Sequence, residues 1–498
     1  MADVPPRVAS LQEVRAILAR HRQLRLLRHY GGLRGWEQRR FRAQLAAINF
    51  RQVAKWAERF VSRYKKPPWP GDIQPPLVEP ALPRGARVRT HAEARQRGRE
   101  LLKQGKVAAF VVAGGQGTRL GFPGPKGCYP VTPVTAQPLF RVFAEQILAV
   151  SRRAGAAIRW YVMTSPANDA ETRAFFAERG YFGLPRGDVF FLTQGVLPVL
   201  DRKTGKLLLD GKGRVAMSPD GHGGSLLALR DSGALADMAR RGIELISYFQ
   251  ADNPLVRCLD PLFLGLHDLH GAEMSAKCVR ARFDLTAREM EKVGVLCRVD
   301  GRTCVIEYSD IPTRGGKARL DLIQPALVDG GWLAGSTAVH VLSRSFVDRL
   351  TEGGTCGLPR HRAVKKVPCV DASGRLVEPT TKNAVKLERF VFDALPLASR
   401  AVVLEALRSE EFSPVKNAEG SDSAATCRRD QVRRAAAWLE AAGVRVPRGG
   451  DGEPAATIEI SPRFADSAEE LARRLRRKPS ISPGEVLYHG AGGRWQRF

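Results

Sequence analysis

The chain has 498 residues, 44% of them hydrophobic, and a formal net charge of +28 from 79 Lys+Arg against 51 Asp+Glu. That length allows two or three domains with a large buried core. No apolar run approaches the roughly 18 residues of a membrane span, the polar start MADVPPRVASLQEVRA lacks the apolar stretch of a secretory signal, and none of the eight cysteines forms a CxxC pair that would suggest a zinc ribbon or a redox motif. These absences point to a cytoplasmic protein with no membrane partner. The basic surplus favours anionic partners such as nucleotides, phosphorylated sugars or nucleic acid, although a solvated basic surface gives the same number. Its densest cluster, RRLRRK at 473–478, is short and interrupted, which argues against a dedicated nucleic-acid arm.

In chain order, residues 8–64 are helical in pattern. LQEVRAILARHRQLRLL puts Val14, Ile17, Leu18 and Leu24 at helical spacing, and FRAQLAAINFRQVAKWAERFV continues after a Gly-Gly break. The stretch 64–85 carries seven prolines and reads as an extended linker. A helix follows over 90–105. VAAFVVA (107–113) is a continuous apolar run, as expected of a parallel strand buried on both faces. Helices at 139–155, 168–180 (opened by Asn or Asp) and 224–242 then alternate with strands at 158–165, 189–195 and 243–253. That alternation predicts an α/β fold with a doubly wound sheet. VGVLCRVDG and TCVIEYSDI (293–311) extend the sheet, and the last hundred residues read as a small α+β domain. The expected division is 1–105, an N-terminal helical region with its Pro-rich linker; 106–397, a central domain; and 398–498, a small C-terminal domain.

The glycine-rich stretch AGGQGTRLGFPGPKG (113–127) follows the first buried strand, at the strand end where open α/β sheets bind ligands. Gly114, Gly115 and Gly117 let the backbone approach a ligand closely. Arg119 and Lys126 add positive charge suited to phosphate oxygens. The dinucleotide fingerprint fails here, because Leu120 stands where its third glycine belongs and no helix follows at once. The P-loop also fails, because Lys126 is flanked by Pro125 and Gly127. A loop of roughly 23 residues inside a compact domain is more often functional than not.

AGGQGTRLG followed by PKG resembles the nucleotide-binding signature of eukaryotic-type UDP-sugar pyrophosphorylases, most of all the UDP-N-acetylhexosamine (UDP-N-acetylglucosamine) pyrophosphorylases. The likeness continues in order through WYVMTS (160–165), FLTQG (191–195), VAMSPDGHGG (215–224), FQADN (249–253), EYSD (307–310), AVKKVPCVDASG (363–374), VKLERFVFD (385–393), EEFSPVKNA (410–418) and EISP (459–462). It spans nearly the whole chain.

The resemblance implies a Rossmann-like, GT-A-like nucleotidyltransferase with a mixed sheet. It implies uridylyl transfer from UTP to a sugar 1-phosphate, first of all N-acetylglucosamine 1-phosphate, with release of pyrophosphate and help from Mg²⁺; the alternative is a glucose or galactose 1-phosphate uridylyltransferase of relaxed specificity. An anionic phosphate is already a nucleophile, so positioning and charge stabilisation carry the reaction. By the resemblance, Gly114, Gly115, Gly117, Thr118, Arg119 and Lys126 cradle the phosphates, and Gln194 reads the uracil edge. Gly221 lies in the turn against the uridine, where His222 replaces the usual Asn. Asp252 holds the metal, Lys386 reaches the phosphates, and Glu307 and Ser336 face the sugar. Ser336 and Val339 stand where the family presents amides, so a relaxed sugar preference is expected, with glucose or galactose 1-phosphate less disfavoured. A third reading, a non-catalytic basic protein engaging RNA, is opposed by the joint presence of Lys126, Asp252 and Lys386; no nucleic-acid partner is expected.

Overall fold

The computed structural model describes residues 9–284, 286–287, 289–371 and 373–498. The first eight residues of the polar start, and residue 8 of the helical stretch, lie outside them. The chain forms two compact units. One gathers the described part of Met1–Trp69 with Gly195–Gly224 and Leu358–Val391; the other comprises Pro70–Gln194, Ser225–Gly357 and Phe392–Phe498. Both are assembled from non-consecutive segments, so neither coincides with the ranges 1–105, 106–397 and 398–498.

The larger unit is built on an eleven-stranded mixed sheet. Its main path runs Val78–Glu79, Ala401–Glu405, Met274–Ala281, Leu333–Ser343, Leu245–Gln250, Val107–Val112, Trp160–Thr164, Val189–Thr193. Val107–Val112 is apolar throughout because it is a central strand, paired in parallel with Leu245–Gln250 on one side and Trp160–Thr164 on the other. Leu333–Ser343 runs antiparallel to both its neighbours on the path. The hairpin Val295–Val299/Arg302–Ile306 joins this strand through Val295 and Leu296, extending the sheet as expected. Phe140, Phe143, Trp160, Phe176 and Phe249 fill the core beneath the sheet, largely edge to face.

Two helices cross with almost no space between them. A Cβ on Gly98, in helix Ala86–Lys103, would lie 1.9 Å from the Pro261 carbonyl oxygen; one on Gly265, in helix Pro261–Leu269, would lie 1.7 Å from that of Ala94. The second of these helices is absent from the sequence reading. Its start is fixed by Asp260, which caps the Leu262 amide at 3.0 Å.

The smaller unit packs helices Leu11–Arg20, Gly35–Ala47 and Phe50–Ala57 on Leu200, Leu207, Val385 and Leu387. Ser10 and Glu13 form a reciprocal capping box that starts the first helix. That helix stops at Arg20 and a 3₁₀ turn follows at Leu24–Leu27. Beyond that helix the phase shifts, so that Leu26 is buried and Leu24 is 47% exposed; within it Val14 and Leu18 are buried and Ile17 is 36% exposed.

The segment 64–85 is extended but not a free linker. Ile73–Gln74 pairs with Val299 and Arg298, and Val78–Glu79 with Val403 and Leu404, which gives the sheet two short, Pro-flanked edges. The single helix expected over 224–242 is two, Gly224–Asp231 and Ala234–Arg240, broken at Gly233 with φ +78°. The last hundred residues have a core of their own around Trp438, Leu439, Ile458 and Leu487. They are tied to the rest of their unit by Arg153, which pairs with Asp466 and Glu470. Among the described residues no helix is long and apolar enough to cross a membrane.

Candidate active site

The glycine loop leaves the Val107–Val112 strand and returns to the sheet at helix Leu139–Ala154. Between them its backbone is folded on itself. The Gly117 amide donates to the Gly124 carbonyl (2.8 Å) and the Lys126 amide to that of Gly115 (3.1 Å). Short 3₁₀ turns at Thr118–Leu120 and Lys126–Cys128 punctuate it. Gly115, Thr118 and Arg119 lie on its exposed face. Two glycines are there for contact. A Cβ on Gly114 would sit 2.7 Å from Gln194 Oε1, and one on Gly127 would enter the Phe140 ring. Gly114 and Gln194 are thus neighbours, the latter held by its own amide on the Thr164 carbonyl (2.8 Å).

Asp252 follows the end of the Leu245–Gln250 strand, the next strand in the sheet, so parallel pairing brings it beside the loop. Lys126 Nζ lies 3.7 Å from Asp252 Oδ2, each side chain 20% exposed. Burial pushes the Lys126 ammonium below its ordinary value; Asp252 opposes this, and the charges of Lys416 and Arg119 add to the depression. Gly114, Gln194 and Asp252, three predicted positions, thus lie at the carboxyl ends of parallel strands of one sheet, with Lys126 on the loop beside Asp252.

Two residues of this neighbourhood escaped the sequence reading. Asn168, which precedes helix Asp169–Glu178, reads as a helix cap. Its side chain instead donates to the Ala113 (3.0 Å) and Gly115 (3.3 Å) carbonyls and accepts from the Ser165 amide (2.7 Å). It draws loop carbonyls inward. Nothing in the sequence distinguishes the two uses of an Asn before a helix. Lys416 sits inside EEFSPVKNA, one of the stretches that carry the family resemblance, and nothing in its local sequence sets that lysine apart. The Val415 amide donates to the Asp252 main-chain carbonyl at 2.7 Å, which anchors this segment beside Asp252, while the Lys416 ammonium pairs with Asp422 at 3.3 Å.

On the other expected face, Glu307 follows strand Arg302–Ile306, and a Cβ on Gly294 would lie 3.3 Å from its Oε1. Ser336 is half-buried, and its Oγ accepts from the Ala338 amide (3.3 Å) in a local kink where Ala338 has φ +56°. Val339 is 5% exposed and belongs to the main apolar core. An amide there would face hydrocarbon.

Gly221 and Lys386 belong to the smaller unit. Gly221 has φ +85°, and a Cβ on it would lie 2.3 Å from the Arg389 carbonyl oxygen. The turn is locked to that segment: Arg389 donates its amide to Asp220 (2.7 Å), and Gly223 donates to Arg389 (2.9 Å). His222 Nδ1 accepts the Val391 amide at 3.1 Å, and its ring stacks on Phe390. Lys386 lies on strand Ala384–Glu388, and burial lowers its pKa, with Lys365 adding and Glu388 opposing.

A family profile described as UTP–glucose-1-phosphate uridylyltransferase matches residues 72–482. The chain belongs to this UDP-sugar pyrophosphorylase family. It is 37% identical over 504 residues to the human UDP-N-acetylhexosamine pyrophosphorylase-like protein 1, covering 96% of this chain and 97% of that one. To the Saccharomyces cerevisiae UDP-N-acetylglucosamine pyrophosphorylase it is 34% identical over 387 residues, 76% and 77% of the two chains. A crystal structure from Entamoeba histolytica, provisionally named a UDP-N-acetylglucosamine pyrophosphorylase, superposes with TM-score 0.70 and 32% identity over 82% of this chain and 99% of that one. This pyrophosphorylase is accordingly a nucleotidyltransferase that forms a UDP-sugar from UTP and a sugar 1-phosphate.

Proposed function

We propose that the sugar is N-acetylglucosamine 1-phosphate, and that Lys126 and Asp252 are the centre of the chemistry. What supports this is their 3.7 Å approach at the mouth of the glycine loop, with Gln194 against Gly114 beside them. An oxygen of the sugar phosphate attacks the α-phosphorus of UTP, and the bond to the pyrophosphate oxygen breaks. No proton needs to be removed from the nucleophile. Arg119 and Lys126 offset the charge gathered on the phosphates, the loop of Gly114, Gly115, Gly117 and Thr118 seats them, and the Gln194 amide supplies donor and acceptor to the uracil edge. Gly221 and Lys386 take the uridine and phosphate roles of their motifs, and their support is the match of those motifs. Glu307 and Ser336 face the sugar.

A divalent metal fits Asp252. Mg²⁺ usually takes one or two carboxylates and completes its shell with phosphate oxygens and water. A single protein carboxylate together with nucleotide phosphates would be a sufficient donor set for it. When bound, it supplies further charge neutralisation to the phosphates. We assign the protein to the cytosol, in keeping with eight free thiols.

The sugar assignment follows the relatives' names. One observation favours a second reading, relaxed use of glucose or galactose 1-phosphate: the Ser336 hydroxyl, which stands in place of an amide, already accepts a backbone N–H. The deciding experiment is kcat/KM for N-acetylglucosamine, glucose and galactose 1-phosphates with UTP. The main reading expects the N-acetylated sugar to lead. A lost uncharged hydrogen bond narrows that lead by roughly 2–13-fold, and Ser336→Asn widens it again. Faster turnover of glucose 1-phosphate would transfer the assignment to the second reading.

A further inference from the structure

The EISP stretch has no part in the site just described, yet its glutamate reaches toward it. Glu459 lies on strand Thr457–Ile460 and is only 8% exposed. A buried carboxylate is stable only when its oxygens are taken up. Here Oε2 accepts the amides of Val134 and Thr135, both at 2.8 Å, and Oε1 accepts the Thr135 hydroxyl at 2.5 Å. Helix Ala424–Ala441 holds the same finger of chain from another side: Arg428 donates to the Pro130 carbonyl (2.8 Å) and Gln431 to that of Val131 (3.0 Å).

That finger grows directly out of the glycine loop. Its two arms are laced together, the Val131 amide on the Gln137 carbonyl (2.9 Å) and the Leu139 amide on that of Tyr129 (3.1 Å), with Ala136 at φ +49° closing the tip. At its root the Tyr129 amide donates to the Lys126 carbonyl (3.0 Å) and the Cys128 amide to that of Pro125 (2.9 Å). Gly127, between them, is pressed on the Phe140 ring, so the root has no slack. Ser461, two residues beyond Glu459, donates to Glu145 (2.7 Å) on the helix the finger runs into. The tip and the following helix are thus both held by this short strand and the serine just after it, and the root is held between them.

We propose that Glu459 is a positioning residue for uridylyl transfer: by gripping the tip at Val134–Thr135, it sets the backbone from which Lys126 addresses the nucleotide phosphates. This rests on the phosphate role given to Lys126 above. A long flexible side chain gains accuracy only from a fixed base, and small displacements of a charge-stabilising group are costly to rate.

The test compares Glu459→Ala, Glu459→Gln, Lys126→Ala and the Lys126/Glu459 double alanine variant in a pyrophosphate-release assay, with melting temperatures measured alongside. Glu459→Ala is expected to lower kcat/KM for UTP about tenfold at temperatures well below its melting point, with KM for the sugar 1-phosphate within about twofold of wild type. Glu459→Gln keeps an acceptor for the amides and recovers most of the loss. In the Lys126→Ala background the same substitution adds less than about threefold, because coupled residues are not additive. Should Glu459→Ala fail to fold, Arg428→Ala, which removes one hold on the same finger, must move kcat/KM for UTP in the same direction. A lowered melting temperature with unchanged kinetics, or a full tenfold loss added on top of Lys126→Ala, overturns the proposal. Normal turnover of Lys126→Ala overturns instead the reading on which it rests.

Discussion

Lys126 combines burial, one carboxylate at 3.7 Å and two neighbouring cations, and its lowered pKa has a kinetic sign. In free enzyme the ammonium is lost at a pH below the ordinary lysine value of 10.5. Because kcat/KM reports the free enzyme, kcat/KM for UTP should fall as pH rises through that lowered value. Lys126→Arg, which stays charged, should move the alkaline fall upward, and Lys126→Ala should lower uridylyl transfer roughly 10²–10³-fold, the cost of one charge-stabilising donor. An alkaline limb that does not move in Lys126→Arg would show that another group controls it. Asp252→Asn should raise the Mg²⁺ needed for half-activity, since a neutral amide is a poorer ligand for a hard cation; an unchanged titration would reduce Asp252 to Lys126's partner. At this scale the loop's own composition marks Gly114 and Lys126, whereas Asp252 and Gln194 are marked only by the family resemblance, because a lone Asp or Gln after a strand carries no local signal. Asn168 was not legible, since its side chain leaves the helix it precedes for carbonyls 53 and 55 residues away.

Helices and strands were readable wherever one period held. The run Val107–Val112 declared itself because it is buried on both faces, and helix Leu139–Ala154 because Gly155, at φ +65°, ends it. The helix Pro261–Leu269 was hidden: it is nearly all apolar and buried, so no polar face marks its period. Gly98 and Gly265 are spaced by tertiary contact alone. The same layer contains Lys277, fully buried on strand Met274–Ala281, its Nζ 2.6 Å from both Asp260 and Glu411. Those carboxylates outweigh burial and keep it charged. Asp260 caps the crossing helix, and the Glu411 carbonyl accepts the Asn253 amide at 2.6 Å, next to Asp252. Lys277→Met should therefore cost about 3–5 kcal/mol, the penalty of leaving buried acids unpaired, read from urea unfolding midpoints. A loss below ~1 kcal/mol would mean that water or rearrangement satisfies the acids.

For the whole molecule, the sequence supported the mixed α/β architecture, while the division into units depended on partners distant in sequence. Residues 195–224 and 358–391 join the N-terminal helices because Leu200, Leu207, Val385 and Leu387 complete their core, a pairing no local pattern announces. The net charge of +28 says nothing about fold, but it matches a reaction whose substrates and products are all phosphate anions. Phosphorus NMR of the purified protein with UTP, Mg²⁺ and N-acetylglucosamine 1-phosphate follows that reaction directly. Pyrophosphate and a UDP-sugar diphosphate signal should grow in equal amounts, both suppressed in Lys126→Ala. A folded wild-type protein that leaves UTP intact with every sugar 1-phosphate offered, or that releases pyrophosphate without a matching UDP-sugar, would contradict it.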